Sequence, residues 1–104
     1  MKKKIVILGS TGSIGQNTLK IIEKNRKDFE ILLLSTNKNI SKVLKQAQKV
    51  RVKNIIINDI EKYKQAQLKC KKLNIKIFNK FDDIKKILKK KRLFYSMVSI
   101  SGID

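Results

Sequence analysis

Three glycines, Gly9, Gly12 and Gly15, constrain what this chain can fold into more than any other feature. They follow the apolar run Ile5-Val6-Ile7-Leu8 and stand at the head of a stretch with helical character, Ser13 to Lys24. A short, β-branched run that stops at glycine reads as a buried strand over Lys4 to Leu8. Strand, glycine-rich turn and helix in direct succession form the first half of a dinucleotide-binding βαβ unit. Gly9 permits the tight turn, Gly12 leaves room for a pyrophosphate to approach the backbone, and Gly15 allows the helix to pack closely on the strand. The N–H groups and dipole at the start of that helix favour an anion. Ser10, Thr11 and Ser13 add hydroxyls, and Ile14 completes the turn. No Gly-Lys-Ser/Thr follows, so this is not a Walker-type phosphate loop.

The rest of the chain repeats the alternation. Phe29 to Ser35 reads as a second buried strand. Ser41 to Val52 reads as a helix capped by Ser41, with Val43, Leu44, Ala47 and Val50 on one side. Asn54 to Asn58 is a third strand, Asp59 caps a third helix running to about Lys72, and Ile75 to Phe78 is a fourth strand. Phe81 to Lys91 reads as a basic helix started by Asp82-Asp83, and Phe94 to Ile100 as a fifth strand. In the first helix Ile14, Leu19, Ile21 and Ile22 form an imperfect apolar stripe. The expectation is an α/β fold: a Rossmann-like, doubly wound parallel sheet of about five strands, with helices on both faces and right-handed crossovers.

The end of the second strand selects the cofactor. An NAD site places Asp or Glu there to take the ribose 2′-hydroxyl. Here the residues are Ser35-Thr36-Asn37-Lys38-Asn39, with no acid. Lys38 offers a cation for a 2′-phosphate, and Thr36, Asn37 and Asn39 offer hydrogen bonds, so NADP is favoured over NAD.

Composition narrows the remaining classes. The 104 residues suffice for one small domain with one core. No apolar run approaches the roughly 20 residues of a membrane span. The start Met1-Lys2-Lys3-Lys4 resembles a signal peptide only superficially, because the apolar run stops at Gly9. A cytoplasmic protein is expected. Cys70 is the single cysteine and His is absent, which excludes an internal disulfide and a Cys/His zinc site. Cys70 reads as a small apolar residue on a helix. The net charge is +18, but the lysines are spread along presumed helix faces, and the Lys-, Asn- and Ile-rich composition is that of an A+T-rich genome. They are read as solvated, attracting nucleic acid weakly at low salt without specificity.

Lys4 through Gly15 (KIVILGSTGSIG), Thr18-Leu19 and Asn37-Lys38-Asn39 together resemble the N-terminus of the 1-deoxy-D-xylulose 5-phosphate reductoisomerases. Val98-Ser99-Ile100-Ser101-Gly102 resembles the strand that precedes the family's substrate domain. About residues 42 to 93 match in element order only. The resemblance implies an NADPH-dependent, Mg- or Mn-using isomerisation and reduction of a sugar phosphate, giving 2-C-methyl-D-erythritol 4-phosphate in non-mevalonate isoprenoid synthesis. It implies that Thr11, Gly12, Ser13 and Ile14 touch the cofactor phosphates and that Asn37, Lys38 and Asn39 line the adenosine end. The family often has Gly where Asn37 stands, and Asn tolerates positive φ better than most residues. It also implies a homodimeric full-length enzyme.

No residue here matches the family's metal-binding carboxylates or substrate-phosphate residues, so no catalytic or metal residue is assigned. Residues 1–104 are expected to be a truncated NADP-binding domain, inactive alone. Two other readings compete: another NADP-dependent Rossmann oxidoreductase, such as a semialdehyde-dehydrogenase-like or atypical short-chain reductase, and a non-catalytic basic module that binds polyanions.

Overall fold

A computed structural model describes residues 3–80, 82–83 and 96–99. Its elements are β1 (Lys3–Leu8), α1 (Ser13–Lys24), β2 (Phe29–Thr36), α2 (Ile40–Val50), β3 (Asn54–Ile57), α3 (Ile60–Lys72), β4 (Lys76–Phe78) and β5 (Ser96–Ser99). The five strands form one sheet in the order β4-β3-β2-β1-β5, and every pairing is parallel. The α/β expectation therefore holds. The order reverses at β1: the chain runs outward through β2, β3 and β4, then returns to the far side of β1. In open α/β sheets ligands bind at the carboxyl ends of the strands beside that reversal, and here it places the turn after β1.

Alternation along the strands divides the core in two. Ile5, Ile7, Leu34, Ile55 and Ile57 pack with Leu19 and Ile22 of α1, Val43, Leu44 and Ala47 of α2, and Ala66 and Cys70 of α3. Successive crossovers of one hand moving one way across a sheet bring their helices to one face, and α1, α2 and α3 share this cluster. Val6, Leu33 and Ile56 form the core of the opposite face, with Leu8, Leu32 and Phe78 against them. The β1–β2 register shifts after Ile5: Ile5 pairs with Ile31, and Val6 with Leu33. The extra residue sends Leu32 and Leu33 to the same face before Leu34 resumes the helix side. The helix expected over 81–91 lies outside the described residues, except at its start. There Asp83 Oδ2 accepts from Lys80 N at 3.1 Å and Asp83 N donates back to Lys80 O at 3.1 Å. The first of these bonds is one half of a capping box, and the second is a backbone turn bond.

Two local expectations are corrected. The cap of α2 is Asn39, not Ser41: Asn39 Oδ1 accepts from Lys42 N at 3.2 Å, and Ile40 is already helical. Two good capping residues compete, and the one whose own N–H is held by Thr36 Oγ1, at 3.2 Å, prevails. In α1 the buried residues are Gly15, Leu19 and Ile22, while Ile14 and Ile21 are 59% and 63% exposed. The helix seats its glycine against the turn, which rotates Ile14 and Ile21 outward. Cys70 is fully buried in the helix-side cluster, as its reading as a small apolar residue requires. Burial pushes its thiol pKa up, partly offset by the nearby Lys69 ammonium.

Candidate dinucleotide-binding site

The turn between β1 and α1 is made by backbone conformations that its glycines allow. Gly9 has φ 73°, the left-handed region where a Cβ is penalised. Gly15 lies so close to the turn that a Cβ there would stand 2.7 Å from Ser10 Cα, 2.8 Å from Ser10 C, and closer still to Gly9 O. The partner of Gly15 is thus the turn's own backbone. Gly12 is the N-cap residue of α1, with φ −72° and ψ 169°, and donates its N–H to Gly9 O at 3.2 Å.

Among the described residues no side chain caps α1 at Gly12, and its first turn carries no acidic residue. The contrast with its neighbours is informative. α2 is capped by Asn39, and α3 by Asp59, whose Oδ2 accepts from Lys62 N at 3.0 Å. An uncapped helix start leaves N–H donors for an external anion, and the aligned peptide dipoles favour negative charge there.

The three hydroxyls of the turn are not equivalent: those of Ser10 and Thr11 are buried, and Ser13 is exposed. Ser10 is 0% exposed. Its Oγ donates to Gln46 Oε1 at 2.8 Å and lies 3.2 Å from Ser35 O, while its N–H donates to Ser35 O at 2.9 Å. Thr11 is also buried, its Oγ1 2.7 Å from Thr36 Oγ1. These groups tie the turn to the end of β2. Gly9 N adds a bond to Ser35 Oγ at 2.7 Å. Ser13 and Ile14 are exposed at the start of α1. Among the described residues no buried side-chain polar atom lacks a partner, as a rigid polar platform requires.

At the end of β2, Thr36 is buried and Asn37, Lys38 and Asn39 are exposed. Thr36 Oγ1 joins the two halves of the site, bonding Thr11 on one side and Asn39 N on the other. The residues with positive φ among those described are Gly9, Arg51 and Asn74, so the bend after β2 is made without left-handed backbone at Asn37. The nearby acid, Asp59, is turned onto α3, and its N–H is held by Asn37 O at 3.0 Å. Lys38 and Lys42 give this edge a positive character, with no acid in the first turn of α2. Two residues of the framework escaped the sequence reading. Gln46 Nε2 donates to Ser10 O at 2.8 Å, and Gln16 Nε2 donates to Thr11 O at 2.9 Å. A glutamine on a helix carries no local signal for a bond to a residue 36 positions away.

A family model described as 1-deoxy-D-xylulose 5-phosphate reductoisomerase matches residues 5–104. The protein of that name from Pelagibacter ubique is 45% identical over 103 residues, covering 98% of this chain and 26% of the relative. The Zymomonas mobilis reductoisomerase structure, a complex with NADPH, is similar with a TM-score of 0.69 and 26% identity, covering 75% of this chain and 21% of that one. Another reductoisomerase structure, in complex with NADPH, fosmidomycin and magnesium, is similar with a TM-score of 0.74 and 25% identity, covering 88% and 22%. The chain thus spans about a quarter of the length of the Pelagibacter relative.

Proposed function

The chain belongs to the 1-deoxy-D-xylulose 5-phosphate reductoisomerase family, and from that premise we propose that residues 1–104 are the NADPH-binding domain of such an enzyme. The observation that carries this reading is the uncapped start of α1 beneath Gly9–Gly15, paired with a β2 end that presents Lys38 and no acid. The enzyme would convert 1-deoxy-D-xylulose 5-phosphate to 2-C-methyl-D-erythritol 4-phosphate in non-mevalonate isoprenoid synthesis.

The residues present suit NADPH. The backbone at Gly12, Ser13 and Ile14 would receive the pyrophosphate. Gly9, Ser10, Thr11 and Gly15 would hold that backbone in place. Thr36, Asn37, Lys38 and Asn39 would receive the adenosine end, with Lys38 opposite the 2′-phosphate. Bound NADPH supplies the hydride; these residues orient it. A divalent metal is a different matter. Among the described residues no three His, Cys, Asp or Glu side chains come together as a metal site, so Mg or Mn would need ligands outside them. Solved relatives include complexes with NADPH and magnesium, which supports both as cofactors of the whole enzyme. A sugar-phosphate substrate, a homodimeric full-length enzyme, a cytoplasmic location and no specific nucleic-acid partner complete the reading. Among the described residues no helix is long and apolar enough to cross a membrane.

The test is an assay of the full-length protein with 1-deoxy-D-xylulose 5-phosphate, NADPH and Mg or Mn. The expected result is NADPH consumption that requires both substrate and metal, with NADH far poorer. Tight NADPH binding without any consumption would leave a cofactor-binding domain serving another reaction.

A further inference from the structure

The pyrophosphate turn and the adenosine loop are separate segments, and a dinucleotide must engage both at once. Among the described residues, two side-chain threads reach from the turn to the loop and the helix that follows it. One runs from Thr11 through Thr36 Oγ1 to Asn39 N. The other is Gln46, on α2, the helix that begins directly after Asn37-Lys38-Asn39. Its amide clasps a single residue of the turn: Nε2 donates to Ser10 O at 2.8 Å and Oε1 accepts from Ser10 Oγ at 2.8 Å. The amide orientation is fixed by chemistry, because the Ser10 carbonyl only accepts. We propose that Gln46 is a positioning residue for the cofactor, holding the turn and the adenosine loop at the spacing an intact 2′-phosphorylated dinucleotide spans. The inference rests on the NADPH reading above.

Fixing the Ser10 carbonyl fixes the plane of the Ser10–Thr11 peptide, since the peptide is planar and trans. That plane leads directly into Gly12 and the start of α1. α2 is capped by Asn39, so the adenosine loop and α2 form one continuous unit. Without Gln46, the turn keeps its bonds to Ser35 and Thr36 but loses its bond to α2, and the Ser10 carbonyl is left without that donor. A ligand that touches one segment alone has no use for this tie. A ligand that bridges both must then supply the ordering itself.

The proposal predicts a selective defect. In Gln46→Leu, made in the full chain, NADPH affinity should fall by roughly tenfold. Affinity for 2′-AMP, which carries only the adenosine end, should change by less than about twofold. Ser10→Ala, which removes the hydroxyl half of the clasp, should show the same selectivity at smaller size. It is also the second variant if Gln46→Leu does not fold. Fluorescence titration of NADPH and calorimetric titration of 2′-AMP read both quantities. Equal weakening of the two ligands would make Gln46 a general support of the fold and overturn the proposal. Unchanged NADPH affinity would also overturn it. A wild-type chain that binds 2′-AMP and NADPH no differently from NADH would sink the cofactor reading and the proposal together. Wild-type preference for NADPH with no selective defect in either variant would sink the proposal alone.

Discussion

Gly15→Ala is the substitution whose consequence the structure defines most sharply. The new Cβ would meet Ser10 Cα at 2.7 Å and Ser10 C at 2.8 Å, with Gly9 O nearer still. All three are backbone atoms, so no side chain can swing aside. Ordinary contact between carbon atoms lies near 3.5 Å, and relief therefore needs a displacement of roughly 0.8 Å. Overpacking of this kind costs about 1–3 kcal/mol. Alanine recovers up to about 1 kcal/mol of helix propensity over glycine. The net expectation is a loss of about 1–2 kcal/mol, which for a chain of this size lowers Tm by roughly 4–15 °C. Relief must displace either the Ser10 backbone or the start of α1, where Gly12, Ser13 and Ile14 are proposed to receive the pyrophosphate, so NADPH affinity should fall by about tenfold or more. Asn17→Ala, at an exposed position of the same helix, is the control and should be neutral or slightly stabilising. Calorimetry and NADPH titration on both variants make the comparison. A Gly15→Ala protein with wild-type Tm and wild-type affinity would refute the claim that helix and turn are in contact at this glycine.

Other expectations follow from individual contacts. Lys38→Gln should weaken NADPH by about tenfold while changing NADH by less than twofold, measured by titration of each. Asn39→Ala should cost about 1 kcal/mol in urea unfolding, whereas Ser41→Ala should stay within about 0.5 kcal/mol, because Asn39 and not Ser41 caps α2. The Cys70 thiol, buried and raised in pKa, should react with a thiol reagent far more slowly in the native chain than in urea. Its folded pKa lies above its unfolded one. The protonated form's contribution is therefore complete below the unfolded pKa and is lost as pH rises through the folded pKa. Unfolding of wild type against Cys70→Ala at increasingly alkaline pH should show the wild type losing more.

Much of this was legible along the chain. Continuous apolar runs such as Ile55-Ile56-Ile57 are what strands buried on both faces require, and those residues are buried. The glycine spacing gave the turn, because Gly9 at positive φ and Gly15 against backbone are demands that one residue type meets. What escaped was tertiary. Ser10 and Thr11 look like outward donors in a string of small polar residues. Their inward orientation depends on Ser35, Thr36 and Gln46, which come 25 to 36 positions later. In α1 the expected stripe holds at Leu19 and Ile22, and the exposure of Ile14 and Ile21 has a related cause. Counting isoleucines favours Ile14 and Ile21, but a glycine seated on the turn decides the rotation and buries Gly15, Leu19 and Ile22. The shift in β2 register that pairs Val6 with Leu33 is invisible in an unbroken run Ile31-Leu32-Leu33-Leu34.

The central claim is that the turn after β1 and the loop after β2 form one site for NADPH. Titration of the full chain with NADPH and with NADH, at physiological salt and again at a several-fold higher salt, tests it most directly. Saturable one-to-one binding of NADPH is expected, at least tenfold tighter than NADH at physiological salt, with the preference reduced by screening of exposed Lys38 at higher salt but not abolished. Equal affinities for the two nucleotides, or an NADPH signal that disappears with salt, would reduce the binding to diffuse attraction by a +18 chain and contradict the account.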